Sequence, residues 1–312
     1  MTDITAIGEI LIDLTQSGFT GQGIPRFDAN PGGAPANLAV AAARLGAKSA
    51  FVGRVGKDSY GAFLRRTLED NAVDVSGLSI DPVQHTTLAI VALDENGERT
   101  FSFYRDPSAD VNLRFEDVPK ALLAETRLLH FGSVSLTAEP ARSPTLSAAR
   151  EAKAQGALIS YDPNYRASLW SDESTAVSRL LEPLDLVDIL KVSDEELPLL
   201  TGTNDLTLGS AALAAHGIRL IFVTLGSKGA FYRFGEKTGI VPGIKVQVGD
   251  TNGAGDTFFG AALSRIVKLE GLNALKTDKL EEILRFANKA AAITTSRHGA
   301  IPAMPTMEEM NG

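Results

Sequence analysis

The chain of 312 residues has no cysteine, which excludes disulfides, thiolate metal sites and a cysteine nucleophile together. It has four histidines, His85, His130, His216 and His298, and no two stand at metal-ligand spacing. They read as structural or surface residues. No Lys/Arg cluster stands out and the net charge is −8, so no nucleic-acid partner is expected. The longest apolar runs fall short of a membrane span, and the first residues lack the basic start and apolar run of a signal peptide. The expectations are no membrane partner and a cytoplasmic location. Gly-x-x-x-x-Gly-Lys-Ser/Thr is also missing, which argues against a P-loop enzyme. An acidic chain can still bind phosphates through local amides and Arg or Lys side chains.

What is present is an ordinary apolar fraction of 44%, enough for a sizeable core. Ile4 to Leu14 reads as one buried strand with Asp13 near its C-terminal end. Thr15 to Asn30 reads as a loop with short strands. Leu38 to Leu45 is an Ala-rich helix stopped by Gly46. Strand and helix then alternate, clearly so from Leu128 to a long final helix over Leu280–Arg297. Alternation of this kind predicts a mostly parallel sheet with helices on both faces. One stretch breaks the pattern. Two strand-like runs, Thr86–Leu93 and Arg99–Tyr104, flank Asp94-Glu95-Asn96-Gly97, an Asn-Gly hairpin signal. With 15–30, the segment 85–112 predicts a small second sheet serving as a lid. Its exposed edge would offer a homodimer interface. Met307 to Gly312 is expected to fray.

The chemistry concentrates in Asp250-Thr251-Asn252-Gly253-Ala254-Gly255-Asp256-Thr257-Phe258. A strand-like run, Ile244 to Val248, leads in, and a helical pattern from Thr257 leads out. Small residues at a helix start let a ligand approach first-turn amides that have no intrahelical partner, which suits phosphate. A carboxylate beside that cradle, Asp256, repels phosphate but can take a proton from an attacking hydroxyl. A strand-to-helix turn with an acid favoured by the helix dipole is the alternative reading of the stretch in isolation. Gly32-Gly33 forms a second close-approach turn before a helix whose Asn37 can donate to and accept from a sugar hydroxyl. Asp13, Ser133, Asn164, Arg166, Lys191, Thr224 and Asp250 all fall at the C-terminal ends of strand-like runs, the edge where ligands gather in open α/β sheets.

Taken together, Gly32-Gly33-x-x-x-Asn37 and Asp250-Thr251-x-Gly253-Ala254-Gly255-Asp256 resemble the two signatures of the ribokinase-like (PfkB) sugar kinases, and the likeness extends over nearly the whole chain. Asp162-Pro163-Asn164-x-Arg166 followed by Leu169-Trp170 resembles the fructokinase branch. The resemblance implies one kinase domain over 1–312, a three-layer α/β/α fold with a small β-sheet lid. It implies ATP and Mg²⁺ as cofactors and sugar as acceptor. Asp256 would be the base, and Gly253, Ala254 and Gly255 the anion hole. Asp13, Gly32, Gly33, Asn37, Arg105 and Arg166 would hold sugar or phosphate. Asn164, Lys191, Ser193, Thr224, Gly226, Lys228, Gly229 and Asn288 would serve the nucleotide. Ser193 stands where many members have Asn, and Asn252 replaces the commoner Thr. Glu196 would organise Mg²⁺ through water. The loop of Asp250 and Asn252, with carbonyls of Thr294, Arg297 and Gly299, would cradle a monovalent cation such as K⁺.

The leading expectation is phosphorylation of fructose at O6. Within the family, 2-keto-3-deoxygluconate, ribose or a nucleoside are the alternatives, and Arg105 and Arg166 leave an acid sugar open. Outside it stand a silent sugar-binding protein and a nicotinamide dehydrogenase. For the latter, Gly253-Ala254-Gly255 begins a dinucleotide fingerprint, but Phe258 occupies the third glycine's place.

Overall fold

A computed structural model describes residues 1–93 and 99–312. Among them, nine strands form one sheet and four a second. The large sheet contains β1 (Thr2–Ile7), β4 (Ser49–Gly56), β5 (Val73–Asp81), β8 (Thr126–Gly132), β9 (Leu158–Asp162), β10 (Ile189–Ser193), β11 (Leu220–Thr224), β12 (Gly229–Phe234) and β13 (Lys237–Pro242). Its order is β13-β12-β11-β10-β9-β8-β1-β4-β5, parallel from β11 through β5 and closed at one edge by the antiparallel β12 and β13. The small sheet, β3-β2-β6-β7, is built from β2 (Leu11–Phe19), β3 (Pro25–Gly32), β6 (Leu88–Leu93) and β7 (Arg99–Tyr104).

The layering follows from side-chain alternation in the central strands. Ile189, Leu220 and Phe222 pack on one face with Leu38, Phe258, Phe259 and Leu284. Their chain neighbours Leu190, Ile221 and Val223 pack on the other with Leu146, Leu180 and Leu213. The first face is therefore covered by α1 (Ala34–Arg44), α8 (Ala254–Ile266) and α9 (Thr277–Thr295). The second is covered by α4 (Arg142–Ala154), α5 (Glu173–Leu181), α6 (Glu196–Thr201) and α7 (Leu206–Ala214). The helix α2 (Ser59–Asp70) packs Leu64 and Leu68 into a third cluster with Phe51 and Val40, while α3 (Lys120–Glu125) and α10 (Met307–Asn311) are short. No helix of the described residues is long and apolar enough to cross a membrane.

Three expectations are corrected. Ile4 to Leu14 is not one strand. The chain leaves the large sheet after β1, turns at Gly8 with φ near +149°, and continues as β2 in the small sheet. A Cβ at Gly8 would also lie 2.8 Å from Pro35 Cγ, so the turn needs glycine twice over. Asp13 therefore belongs to the small sheet. Ile244 to Val248 is not a strand either: pairing stops at Pro242, and the segment beyond runs unpaired with Ile244, Val246 and Val248 exposed. Finally, the C-terminus does not fray. Thr306 and Glu309 form a capping box on α10, and Met310 is buried. The strands β5 and β13 escaped the sequence reading. The pairing of β6 with β7 fits the expected hairpin, while Asp94-Glu95-Asn96-Gly97 lies outside the described residues.

Candidate active site

The helix α8 begins between two cavities. Gly253 precedes it, so Ala254, Gly255 and Asp256 form its first turn, where amides lack intrahelical partners. Asp256 faces a narrow cavity that it shares with Glu9, Asp13, Gly33, Asn37, Asn164, Arg166 and Asn252. Ala254 and Gly255 face the other way, into a cleft of about 720 Å³ with Ser193, Thr224, Gly226, Gly229, Asn288 and Thr251. Asp256 is thus placed on one side of a one-residue wall and the helix mouth on the other.

Each wall of the narrow cavity has a local cause. Asn37 reaches it from the first turn of α1 and donates from Nδ2 to Asp256 Oδ2 at 2.8 Å. Gly33 caps α1 with φ near +103°, and a Cβ there would sit 2.6 Å from the Glu9 carbonyl oxygen. Gly32 leaves space for the Asp13 carboxyl, which an added Cβ would meet at 2.2 Å. Asn252 donates from Nδ2 to Asp13 Oδ2 at 3.4 Å, tying the small sheet to the loop before α8. Burial raises the pKa of Asp256, opposed by the Asn37 hydrogen bond and by Lys191 and Arg166. Burial lifts Asp13 to about 6 against the Asn252 hydrogen bond and Arg166.

Behind the helix mouth, Lys191 Nζ pairs with Asp162 Oδ2 at 2.9 Å, and both are buried. The ammonium also stands 3.2 Å from where a Cβ on Gly255 would project. Burial works against the charge on Lys191, but Asp162, Glu196 and Asp256 outweigh it and raise its pKa. Glu196 accepts from the amides of Tyr165 and Ser193, both at 2.7 Å, and so pins the ends of β9 and β10 together. Asp250 accepts from the amides of Asn252 at 2.8 Å and Gly299 at 3.2 Å, while Gly249 and Asp250 donate to the Thr295 carbonyl. The end of α9 is thereby fastened to the loop before α8.

That division of labour, a carboxylate and a helix mouth back to back at the sheet's C-terminal edge, agrees with a family model. Residues 1–307 match the pfkB family carbohydrate kinase model. The chain belongs to the pfkB family of carbohydrate kinases. This carbohydrate kinase is 44% identical over 310 residues to fructokinase-1 of Oryza sativa subsp. japonica, covering 98% of this chain and 96% of the relative. A fructokinase with bound ATP from Xylella fastidiosa superposes with a TM-score of 0.91 at 35% identity, covering 99% of this chain and 97% of that one. A double mutant of the Vibrio cholerae O395 fructokinase, in a fructose, ADP and potassium ion bound form, superposes with a TM-score of 0.90 at 37% identity, covering 100% and 97%.

Several site residues of the kinase differ from expectation. Arg105 does not line the cavity. Its guanidinium is spent on Asp110 Oδ2 (2.7 Å), Thr137 Oγ1 (2.7 Å) and the Val134 carbonyl (3.0 Å), which pins the end of β7 to the main body. Asn164, expected at the nucleotide, lines the narrow cavity, and the Asn252 side chain turns there too. Lys228 is not among the residues lining the cleft. Asn288 lines it while donating to the Val241 and Pro242 carbonyls. For Thr294 and Arg297 the expectation concerned their carbonyls alone, and the Thr294 carbonyl accepts from the Arg297 amide at 3.1 Å. Two features were missed. Ile244, Val246 and Val248 form an apolar wall of the cleft, and their alternation was legible but imitated a strand. Glu9 lines the narrow cavity, and one acid after a strand gives no signal by itself.

Proposed function

We propose that this carbohydrate kinase transfers the γ-phosphoryl group of ATP to a primary hydroxyl of fructose, giving fructose 6-phosphate. The observation that carries the reading is the placement of Asp256 and Gly255 on opposite sides of the start of α8. Fructose occupies the narrow cavity, with Asp13 and Asn37 holding its hydroxyls. ATP occupies the cleft, its base against Ile244, Val246 and Val248 and its phosphates over the Gly253-Ala254-Gly255 amides. Asp256 accepts the proton of the attacking hydroxyl. The first-turn amides and Lys191 stabilise charge on the transferred group. Mg²⁺, bound with the ATP phosphates, supplies further neutralisation of that charge. Glu196 fits a water-mediated role toward it, because each carboxylate oxygen keeps a lone pair after its backbone bond. The loop of Asp250 and Asn252 is our candidate seat for K⁺, with the carbonyls of Thr294, Arg297 and Gly299. The small sheet acts as a lid over the sugar, and its exposed Phe19, Ile24 and Phe27 support a homodimer across it.

Arg105 bears on the choice of sugar. An acid sugar needs cations, yet this arginine is engaged with Asp110, and in the cavity the carboxylates of Asp13 and Asp256 outnumber the one cation among the described residues, Arg166. A neutral hexose fits that balance better. In an assay coupling ADP release to a panel of sugars, fructose is expected to give the highest kcat/KM, above 2-keto-3-deoxygluconate, ribose and nucleosides. A higher value for the acid sugar would overturn the fructose assignment.

The pH profile has a defined sign. Asp256 can take the hydroxyl proton, and Asp13 can accept through both of its oxygens, only when ionised, and burial raises both. Activity is therefore lost as pH falls, and the acid limb of kcat/KM should lie near the Asp13 value of about 6 rather than near 4, where exposed carboxylates titrate. A profile flat down to about pH 5 would mean that neither carboxylate has to be ionised for turnover.

A further inference from the structure

We propose that Glu9 is a substrate-positioning residue that donates a hydrogen bond from a protonated carboxyl to an oxygen of the sugar. This rests on fructose as the acceptor and adds a donor to a cavity otherwise rich in acceptors.

Glu9 follows the Gly8 turn that ends the large-sheet strand and is 2% exposed. Its Oε1 accepts from the Ala34 amide at 3.0 Å, at the start of α1. Its Oε2 is buried without a hydrogen-bond partner among the described residues. Glu9 lines the same cavity as Asp13, Asn37, Arg166 and Asp256. A buried carboxyl oxygen with no partner is costly, so such a group calls for an explanation. A ligand oxygen in that cavity supplies one.

The protonation state follows from the surroundings. Burial, with help from Asp110, pushes Glu9 up to about 8 against the pull of its own backbone amide, the Arg105 charge and the Ala34 amide. Arg105 gives Glu9 little relief because it is committed to Asp110, which also accepts from Thr87 and Ser108. Asp13 and Asp256 share the cavity and add negative charge, with Arg166 opposing them. At neutral pH Glu9 thus keeps its proton, and Oε1 is already taken by Ala34. The O–H belongs on Oε2 and points to the ligand. Asp13 and Asp256 can only accept once ionised, so Glu9 serves a sugar oxygen that itself accepts.

The test is kinetic, using fructose, each monodeoxyfructose and the carbocyclic analogue lacking the ring oxygen, with thermal melting as the folding control. Wild-type enzyme that releases no ADP with fructose would defeat the fructose reading itself, before any variant is compared. Given wild-type activity, Glu9→Leu is expected to raise the fructose KM roughly three- to tenfold, the size of a neutral hydrogen bond. Glu9→Gln keeps both an acceptor for Ala34 and a donor, and is expected to restore KM to within about twofold. One analogue should be weakened in wild type but not further in Glu9→Leu, a coupling that a purely structural role would not produce. Above about pH 8 the wild-type KM should rise, and Glu9→Gln should remove that rise. An unchanged KM in a folded Glu9→Leu, a Glu9→Gln as poor as Glu9→Leu, or no coupled analogue would each overturn the proposal.

Discussion

Asp256→Asn is expected to lower turnover roughly 10²–10⁴-fold, the range of a general base, with ATP binding retained. Asparagine keeps the size of the side chain, and one amide oxygen can still accept from Asn37 Nδ2, which now bonds Oδ2 at 2.8 Å. What is lost is the proton acceptor alone. In the proposed arrangement ATP lies on the other side of the helix start, in the cleft lined by Ala254 and Gly255, so its affinity should change little. Single-turnover kinetics and ATP titration calorimetry separate the two quantities. Turnover within about threefold of wild type would take Asp256 out of the chemistry.

Lys191→Met is expected to damage both fold and catalysis. Its ammonium is buried against Asp162 at 2.9 Å, and removing one partner of a buried pair commonly costs about 3–5 kcal/mol. Burial drives Asp162 toward its neutral form, and Lys191 is the main charge holding it ionised. In the variant Asp162 should take up a proton on folding. A carboxyl whose pKa is raised in the folded state contributes stability at low pH that fades as pH rises. The urea-unfolding deficit should therefore be larger at alkaline than at mildly acidic pH, and Asp162→Asn in the same chain should recover part of it. Turnover should also fall roughly 10²–10³-fold, as for loss of one group stabilising developing charge. A deficit below about 1 kcal/mol with normal turnover would leave the pair without a part in either stability or chemistry.

Much of this arrangement was legible in the sequence because it depends on local rules. The small residues before Thr257 had to open a helix, and Gly32-Gly33 had to precede another. Alternating strands and helices had to give a mostly parallel sheet. What stayed hidden depends on partners distant in the chain. Ile4 to Leu14 reads as continuous because its residues are buried both before and after the turn; only the sheet to which each half pairs distinguishes them. Ile244, Val246 and Val248 alternate as a strand does, but their common face borders a cleft and no neighbouring strand pairs with them. Arg105 looked available to a ligand, and its engagement depends on Asp110, Thr137 and a carbonyl at Val134. Glu9 is the sharpest case, since its proposed role rests on a carboxyl oxygen left without a mate among the described residues.

The switch of sheets after Gly8 has a mechanical consequence. Asp13 rides on the small sheet, whereas Asp256 is rooted in the main body at the head of α8. With fructose bound as proposed, its two ends would be gripped by different halves of the molecule. A swing of the cover would carry the hexose with it, so sealing the chamber and bringing the reactive oxygen to its base would be a single stroke.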